Sequence, residues 1–175
     1  MQIRETKSRL AALTSVMFLA VADALGQDEN TRRIVVSIPD RKLALLENAR
    51  VVKVYPTAVG ATASPTPAGA FQITHRIPRP TWYTPGKVVG PGPGNPLGTR
   101  WLGLSRKGYG IHGTNNPRSI GRRASHGCIR MRNSDVEELF ELVAIGDVVE
   151  FHAERNVELD RIFGTPELIG AGAAR

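Results

Sequence analysis

The chain has 175 residues, 41% of them hydrophobic, and a formal net charge of +7 at pH 7. This length suffices for one domain of ordinary size with its own core, and the charge favours anionic polymers as partners. A single cysteine excludes an intramolecular disulfide, so stability must come from the core. No nucleic-acid motif, glycine-rich phosphate loop, internal repeat or heptad pattern accompanies the charge.

The N-terminus has the pattern of a secretory signal peptide. Three basic residues precede an apolar run from 10 to 22, and Ala22-Asp23-Ala24 fits the small-x-small cleavage site. A run of this length is too short to span a bilayer comfortably. We therefore expect residues 1–24 to be removed and the protein to be exported to the periplasm or cell envelope with no permanent membrane span, a retained anchor being the alternative. Export directs the positive charge toward anionic cell-wall material rather than nucleic acid.

Short β-branched and apolar runs separated by turn residues follow the leader. They predict a β-meander and then a further strand, over residues 33–39, 42–46, 51–59 and 69–74. Residues 78–99 hold six prolines and five glycines, so half of the segment cannot form regular ladders or helices, and a long loop is predicted. Trp82 and Tyr83 give that loop aromatic faces with which to cover a peptide substrate. A surface loop without function is the alternative.

The second half of the chain alternates strands with one helix. Residues 101–105 and 110–112 are predicted strands, which places His112 at a strand end. Ser134 and Glu137 have the spacing of a capping box before an apolar helical pattern that ends by Gly146, and 147–152 returns as a strand. The sequence predicts one mainly β domain over residues 25–153 with one short α-helix after Cys128. Residues 154–175 are predicted to be a flexible extension.

Cys128 and His112 form the pairing that carries chemistry. A thiol attacks acyl groups as the thiolate, and a nearby imidazole is the usual means of activating it. The residues between His112 and Ser125 can return the chain so that the two side chains meet, and glycines at 113 and 127 leave room for a substrate backbone. An inert buried cysteine is one alternative. A zinc site of His112, His126 and Cys128 is another, but it lacks a fourth ligand and the usual spacing.

The run IHGTNNPRSIGRRASHGCIRM, residues 111–131, resembles the signature of the L,D-transpeptidase catalytic domain of bacterial cell walls. The family has an upstream His, a spacer, and Ser or Thr followed by His-Gly-Cys, an apolar residue and Arg or Asn. Thr66-Pro67-Ala68-Gly69-Ala70-Phe71 resembles the same family, and the likeness covers roughly residues 34–151. It implies a β-sandwich.

The resemblance also implies a mechanism. Cys128 attacks the carbonyl between the third and fourth residues of a peptidoglycan stem tetrapeptide, D-Ala leaves, and an amine of a second stem peptide resolves the acyl-enzyme without cofactor or metal. By the same resemblance His112 is the general base, oriented by the carbonyl of Gly113. Supporting roles fall to the amides of Gly127 and Cys128 at the oxyanion, to His126 and Ser125 in shaping the pocket, and to Arg130 as partner of a substrate carboxylate.

Two further functions remain open from the sequence. Water as acceptor would make the protein an L,D-carboxypeptidase, which shares the same acyl-enzyme. A wall-binding protein that keeps the fold without turnover is the non-enzymatic alternative. The identity of the acceptor amine is not encoded in any motif of the chain.

Overall fold

The computed structural model of the protein describes residues 31–164. The predicted signal peptide, residues 1–24, lies outside this range, as does the end of the predicted extension, residues 165–175. Within residues 31–164, no helix is long and apolar enough to cross a bilayer.

The described residues form twelve strands and two α-helices. The first seven strands are β1 (Arg32–Ser37), β2 (Lys42–Glu47), β3 (Arg50–Pro56), β4 (Val59–Gly60), β5 (Gly69–Pro78), β6 (Trp82–Thr84) and β7 (Lys87–Val89). The remaining elements are β8 (Arg100–Leu104), β9 (Gly110–His112), β10 (Arg123–Ser125), β11 (Ile129–Arg130), α1 (Asn133–Leu142), β12 (Val148–His152) and α2 (Val157–Phe163). The predicted mainly β class is confirmed.

Eight strands form one curled sheet in the order β11-β9-β8-β5-β12-β1-β2-β3. The predicted meander is its edge, since β1, β2 and β3 pair antiparallel in sequence. Strand β5 joins two halves of this sheet, one formed by β12, β1, β2 and β3 and the other by β8, β9 and β11. Its first residues pair with β12 and its later residues pair with β8, and the pairing with β8 has a register shift between Ile73 and His75. This irregularity lets the sheet bend where the two halves meet.

Both halves contribute to one core. The main apolar cluster joins Ile34 and Leu43 from one half to Leu102 and Ile111 from the other, with α1 covering it through buried side chains such as Leu139. Burying these surfaces at roughly 25 cal/mol per Å² is the main stabilising contribution to the fold. Strands β1 and β2 are buried on both faces. Their sequences are for this reason continuous apolar runs rather than alternating apolar and polar residues.

Helix α2 corrects two predictions, the single helix and the flexible extension from residue 154. It begins after Asn156, whose Oδ1 accepts a hydrogen bond from the amide of Leu159 at 2.9 Å. Leu159 and Phe163 pack with Val35, Ala44 and Leu46 on the second face of the sheet. An N-cap asparagine and an apolar pair four residues apart were present in the sequence as signals for this helix.

Helix α1 confirms the predicted helix but not its capping box or its end. The helix begins at Asn133 with Arg132 as N-cap, no side-chain cap is formed, and the helix ends at Leu142. Ser134 lies inside the helix and donates to Asp135 Oδ1 at 3.0 Å. Asn133 Oδ1 instead accepts from the amide of Thr114 at 3.0 Å, so tertiary contacts, rather than local capping, set this terminus.

The segment 78–99 is more ordered than its composition predicted. Strands β6 and β7 pair antiparallel as a short hairpin within it, so the predicted long loop contains a ladder of three residue pairs. Asn95, 1% exposed, fixes the base of the segment. Its Nδ2 donates to the carbonyls of Pro80 at 2.7 Å and Gly90 at 3.1 Å, and its Oδ1 accepts from the amide of Leu97 at 2.8 Å.

Candidate active site

Strand pairing brings the segments of His112 and Cys128 together. Cys128 lies between β10 and β11, and β11 pairs parallel with β9, with Ile129 opposite Ile111 and Arg130 opposite His112. The intervening residues therefore form a returning loop, as the sequence predicted. Among the hydrogen bonds of residues 31–164, none joins the His112 ring to the Cys128 thiol. His112 lies at the end of β9, and Cys128 lies in the turn just before the neighbouring strand β11.

The turn that carries Cys128 is held by two hydroxyl groups. Ser125 Oγ accepts from the Gly127 amide at 3.0 Å and donates to the carbonyl of Cys128 at 2.6 Å. Thr66 Oγ1 donates to the carbonyl of Gly127 at 2.9 Å. The first of these bonds engages an amide that the sequence analysis assigned to an oxyanion.

Glycine is required at position 127 for two reasons. Its φ of 113° is a backbone conformation that L side chains rarely adopt. A Cβ at this position would also lie 2.8 Å from Cε1 of Tyr109, whose ring covers the turn. A side chain here would therefore displace the loop that holds Cys128.

The thiol of Cys128 is half-buried at a cavity of about 610 Å³. Its Sγ donates to the carbonyl of Gly108 at 3.5 Å. Burial raises the pKa of the thiol, whereas the Gly110 backbone and the charge of Arg130 act in the opposite direction. The cavity wall is largely apolar and includes Ile77, Trp82, Tyr83, Leu97 and Trp101.

His112 is a buried histidine with a fixed ring. Its Nδ1 donates to the carbonyl of Gly113 at 2.6 Å, the contact that the resemblance implied, which leaves Nε2 as the acceptor of the neutral ring. Burial lowers the pKa of His112 to about 4, a shift that the Gly113 and Leu97 carbonyls oppose and the charge of Arg130 reinforces. The imidazole is therefore neutral at physiological pH.

Arg130 lies close enough to both groups to influence their pKa values. Burial lowers the pKa of Arg130 itself. None of the ion pairs found among residues 31–164 involves this guanidinium. An arginine in this position can form a two-pronged contact with a carboxylate.

The remaining candidates separate into those at the cavity and those away from it. Trp82 and Tyr83 both line the cavity at Cys128, through the β6–β7 hairpin. His126 is exposed, and none of the hydrogen bonds described for residues 31–164 involves its ring. The atoms of His112, His126 and Cys128 do not form a metal-sized cluster, since the only such group among the described residues is Glu150, His152 and Glu158. Arg33 forms ion pairs with both of those glutamates.

Sequence reasoning missed three residues of this site. Trp101 stacks on the ring of His112, with ring centroids 5.5 Å apart and planes inclined by 27°. Thr66 fixes the cysteine turn, and Asn95 fixes the segment that forms the cavity wall. Only Thr66 had a signal, because it begins the second stretch that resembles the family.

Comparison with known proteins shows the family of the chain. The profile of the YkuD family, the L,D-transpeptidase catalytic domain, matches residues 31–151. The chain belongs to this L,D-transpeptidase family. It is 49% identical over 114 residues to a putative L,D-transpeptidase, YkuD, of Bacillus licheniformis, with 65% of this chain and 61% of the relative covered. It is 36% identical over 120 residues to a probable L,D-transpeptidase, YbiS, of Escherichia coli, with 60% and 39% covered.

Solved L,D-transpeptidases share the fold. The catalytic domain from Enterococcus faecium is 25% identical with a TM-score of 0.58, covering 71% of this chain and 99% of that one. The Ldtfm-avibactam carbamoyl enzyme is 26% identical with a TM-score of 0.61, covering 73% and 50%. The chain spans about three fifths of the length of the curated relatives it matches first.

Proposed function

We propose that this L,D-transpeptidase is exported and forms peptidoglycan cross-links through an acyl-enzyme on Cys128. The observation that carries the proposal is a half-buried thiol at an apolar cavity, beside a strand that ends in a buried neutral histidine. Its donor is a stem tetrapeptide and its acceptor an amine of a second stem peptide. The predicted leader, residues 1–24, supports delivery to the cell envelope.

Acylation begins with Cys128 Sγ and the carbonyl carbon between the third and fourth residues of the donor. The thiol proton passes to Nε2 of His112 as the S–C bond forms, and it then passes to the departing amino group of D-Ala as the C–N bond breaks. In the second half the acceptor amine attacks the thioester carbonyl carbon and gives a proton to Nε2 of His112, and this proton passes to Cys128 Sγ as the C–S bond breaks. Atoms and charges balance without a metal or cofactor.

The protonation states favour proton transfer at the moment of attack. A lowered pKa on His112 and a raised pKa on Cys128 both stabilise the uncharged pair over the thiolate–imidazolium pair. A neutral imidazole with Nδ1 committed to Gly113 offers Nε2 as a general base. This state keeps the thiol unreactive until a substrate brings an electrophile to it.

The surroundings of the thiol suit a peptide donor. The amide of Cys128 is our candidate oxyanion donor, since the Gly127 amide donates to Ser125 Oγ. Arg130 is the proposed partner of a substrate carboxylate, and His126, being exposed, is assigned only a contact at the rim. Trp82 and Tyr83 are proposed to cover the donor stem, because aromatic faces bury apolar area while tolerating polar edges.

Intact-protein mass spectrometry after incubation with a carbapenem tests the nucleophile. We expect one stoichiometric adduct on the wild-type chain and none on Cys128→Ala. Folded, reduced protein that forms no adduct would contradict the acyl-enzyme.

Muropeptide analysis then separates the transferase from the carboxypeptidase alternative. Incubation with a disaccharide tetrapeptide should give cross-linked dimer together with released D-Ala. Tripeptide alone, with no dimer at any acceptor concentration, would assign hydrolysis instead. Sacculus binding that is the same in the wild type and Cys128→Ala, without any acyl-enzyme, would favour the wall-binding alternative.

A further inference from the structure

We propose that Trp101 is a positioning residue that acts through His112. The indole excludes water from the imidazole and holds the plane of the imidazole ring in its orientation toward the thiol. The inference rests on the proposed function only in taking His112 as the base. It is carried by the stacked ring pair, by the strand register that creates it, and by two glycines that make room for the indole.

The stack follows from strand pairing rather than from an adaptable loop. Trp101 on β8 lies directly opposite His112 on β9 in antiparallel register. Directly opposed residues on a sheet face have Cβ atoms about 5 Å apart, which suits face contact between two rings. The observed centroid separation of 5.5 Å and inclination of 27° are those of an offset stack.

Two glycines form the bed of the indole. A Cβ on Gly110 would lie 2.6 Å from Cζ2 of Trp101, and a Cβ on Gly103 would lie 2.8 Å from its Nε1. Both glycines are paired residues of the same two strands. Any side chain at either position would move the indole from the imidazole, so the backbone is shaped around this aromatic ring.

Two constraints together define the His112 ring. The Gly113 carbonyl fixes the ring through Nδ1, and Trp101 covers one of its faces. Trp101 lines the cavity that holds Cys128, whereas His112, on which it stacks, is only 5% exposed. The indole therefore separates the catalytic base from the solvent of the cavity, and the burial that lowers the pKa of His112 depends on it.

The test compares Trp101→Leu with Trp101→Phe. NMR titration of the His112 ring protons measures its pKa and its ring-current shift without requiring catalysis. Carbapenem acylation followed by mass spectrometry across pH measures the base at work. We expect Trp101→Leu to lose the ring-current shift, to raise the His112 pKa by about one pH unit toward its solvated value, and to slow acylation on the order of tenfold or more. Trp101→Phe, which keeps an aromatic ring, should stay closer to the wild type in all three properties.

A second route displaces the indole without removing it. Gly103→Ala places its methyl against Nε1 of Trp101 and should shift the His112 signals in the same direction by a smaller amount. Phe71→Leu is the matched control, since Phe71 on β5 belongs to a separate aromatic pair with Phe151 on β12. It should leave the His112 titration and the pH profile of acylation at wild-type values.

The outcomes distinguish the two proposals. An unchanged His112 titration in both Trp101→Leu and Gly103→Ala overturns the role of Trp101, whatever the acylation rate. Slower acylation with an unchanged titration would make Trp101 a wall of the substrate pocket, which also overturns it. If wild type forms no acyl-enzyme while the titration shifts as expected, the stack stands and the proposed function fails.

Discussion

The hydroxyl of Thr66 donates to the carbonyl of Gly127 and accepts from the amide of Gly60, bridging the loop before β5 to the turn that carries the thiol. Both bonds are buried, and a buried polar group that loses its partner costs about 1 to 3 kcal/mol. Thr66→Val keeps the shape and removes the hydroxyl. We expect it to lower the free energy of unfolding by that amount and to slow carbapenem acylation of Cys128.

Thr66→Ser is the matched control for this contact, since it keeps the oxygen and removes only a methyl group. Urea unfolding and acylation rates should place it near wild type. Equal losses in the serine and valine variants would indicate that packing of the methyl group, and not the hydrogen bonds, holds the turn.

The buried His112 predicts a pH dependence of stability. Its pKa is about 4 when folded and about 6.5 in the unfolded chain, so the unfolded state binds the extra proton between these values. Its contribution is complete above pH 6.5 and is lost as pH falls toward 4, a change on the order of 3 kcal/mol. Urea unfolding at several pH values measures this change. We expect the free energy of unfolding to depend less steeply on pH in His112→Gln than in the wild type. If His112→Gln keeps the wild-type dependence of the unfolding free energy on pH, the buried histidine does not set that dependence.

Asn95 predicts how firmly the cavity wall is held. Asn95→Ala removes donors to Pro80 and Gly90 and the acceptor of Leu97, so we expect faster hydrogen exchange across residues 80–97 and slower acylation. Asn115→Ala is the matched control, because its exposed side chain donates to Gly94 in the same segment. If the two variants exchange alike, the buried amide does not fix the wall.

Helix α2 predicts that the end of the described chain is structural. Leu159→Ala should lower the free energy of unfolding by about 2 to 4 kcal/mol, since it opens a cavity against the sheet. Val157→Ala, on the same helix but 67% exposed, should change it little. Thermal unfolding of both variants measures the difference, and equal midpoints would mean that α2 does not contribute to the core.

Local sequence signals predicted the strands of the meander, the strand end at His112 and the returning loop before Cys128. The contact of His112 with the Gly113 carbonyl was implied by the resemblance and depends on one adjacent residue. By contrast, the Trp101 stack depends on the register between β8 and β9, and no short-range pattern encodes that register. Sequence reasoning could therefore find the candidate pair, His112 and Cys128, but not the residues that surround and hold it.

The errors have equally local causes. Ser134 and Glu137 had the capping spacing, yet Asn133 Oδ1 binds the amide of Thr114, and the helix begins two residues earlier than a Ser134 cap would place it. Proline and glycine content hid the β6–β7 hairpin, because only three residues of each strand pair. Helix α2 has only seven residues and is followed by small residues. Its apolar periodicity was therefore too short to outweigh the composition of the tail.

Strand β12 lies between β1 and β5 in the centre of the sheet, although it is the last strand along residues 31–164. Ile34 on β1 is paired with Val149 on β12, so these two neighbouring strands are separated by more than a hundred residues of sequence. Such distant pairing makes folding slow and strongly cooperative. A chain still emerging from the ribosome has a gap at the centre of its sheet, and the strand that ends at His112 and the turn that carries Cys128 gain a complete scaffold only after nearly the whole domain has been synthesised.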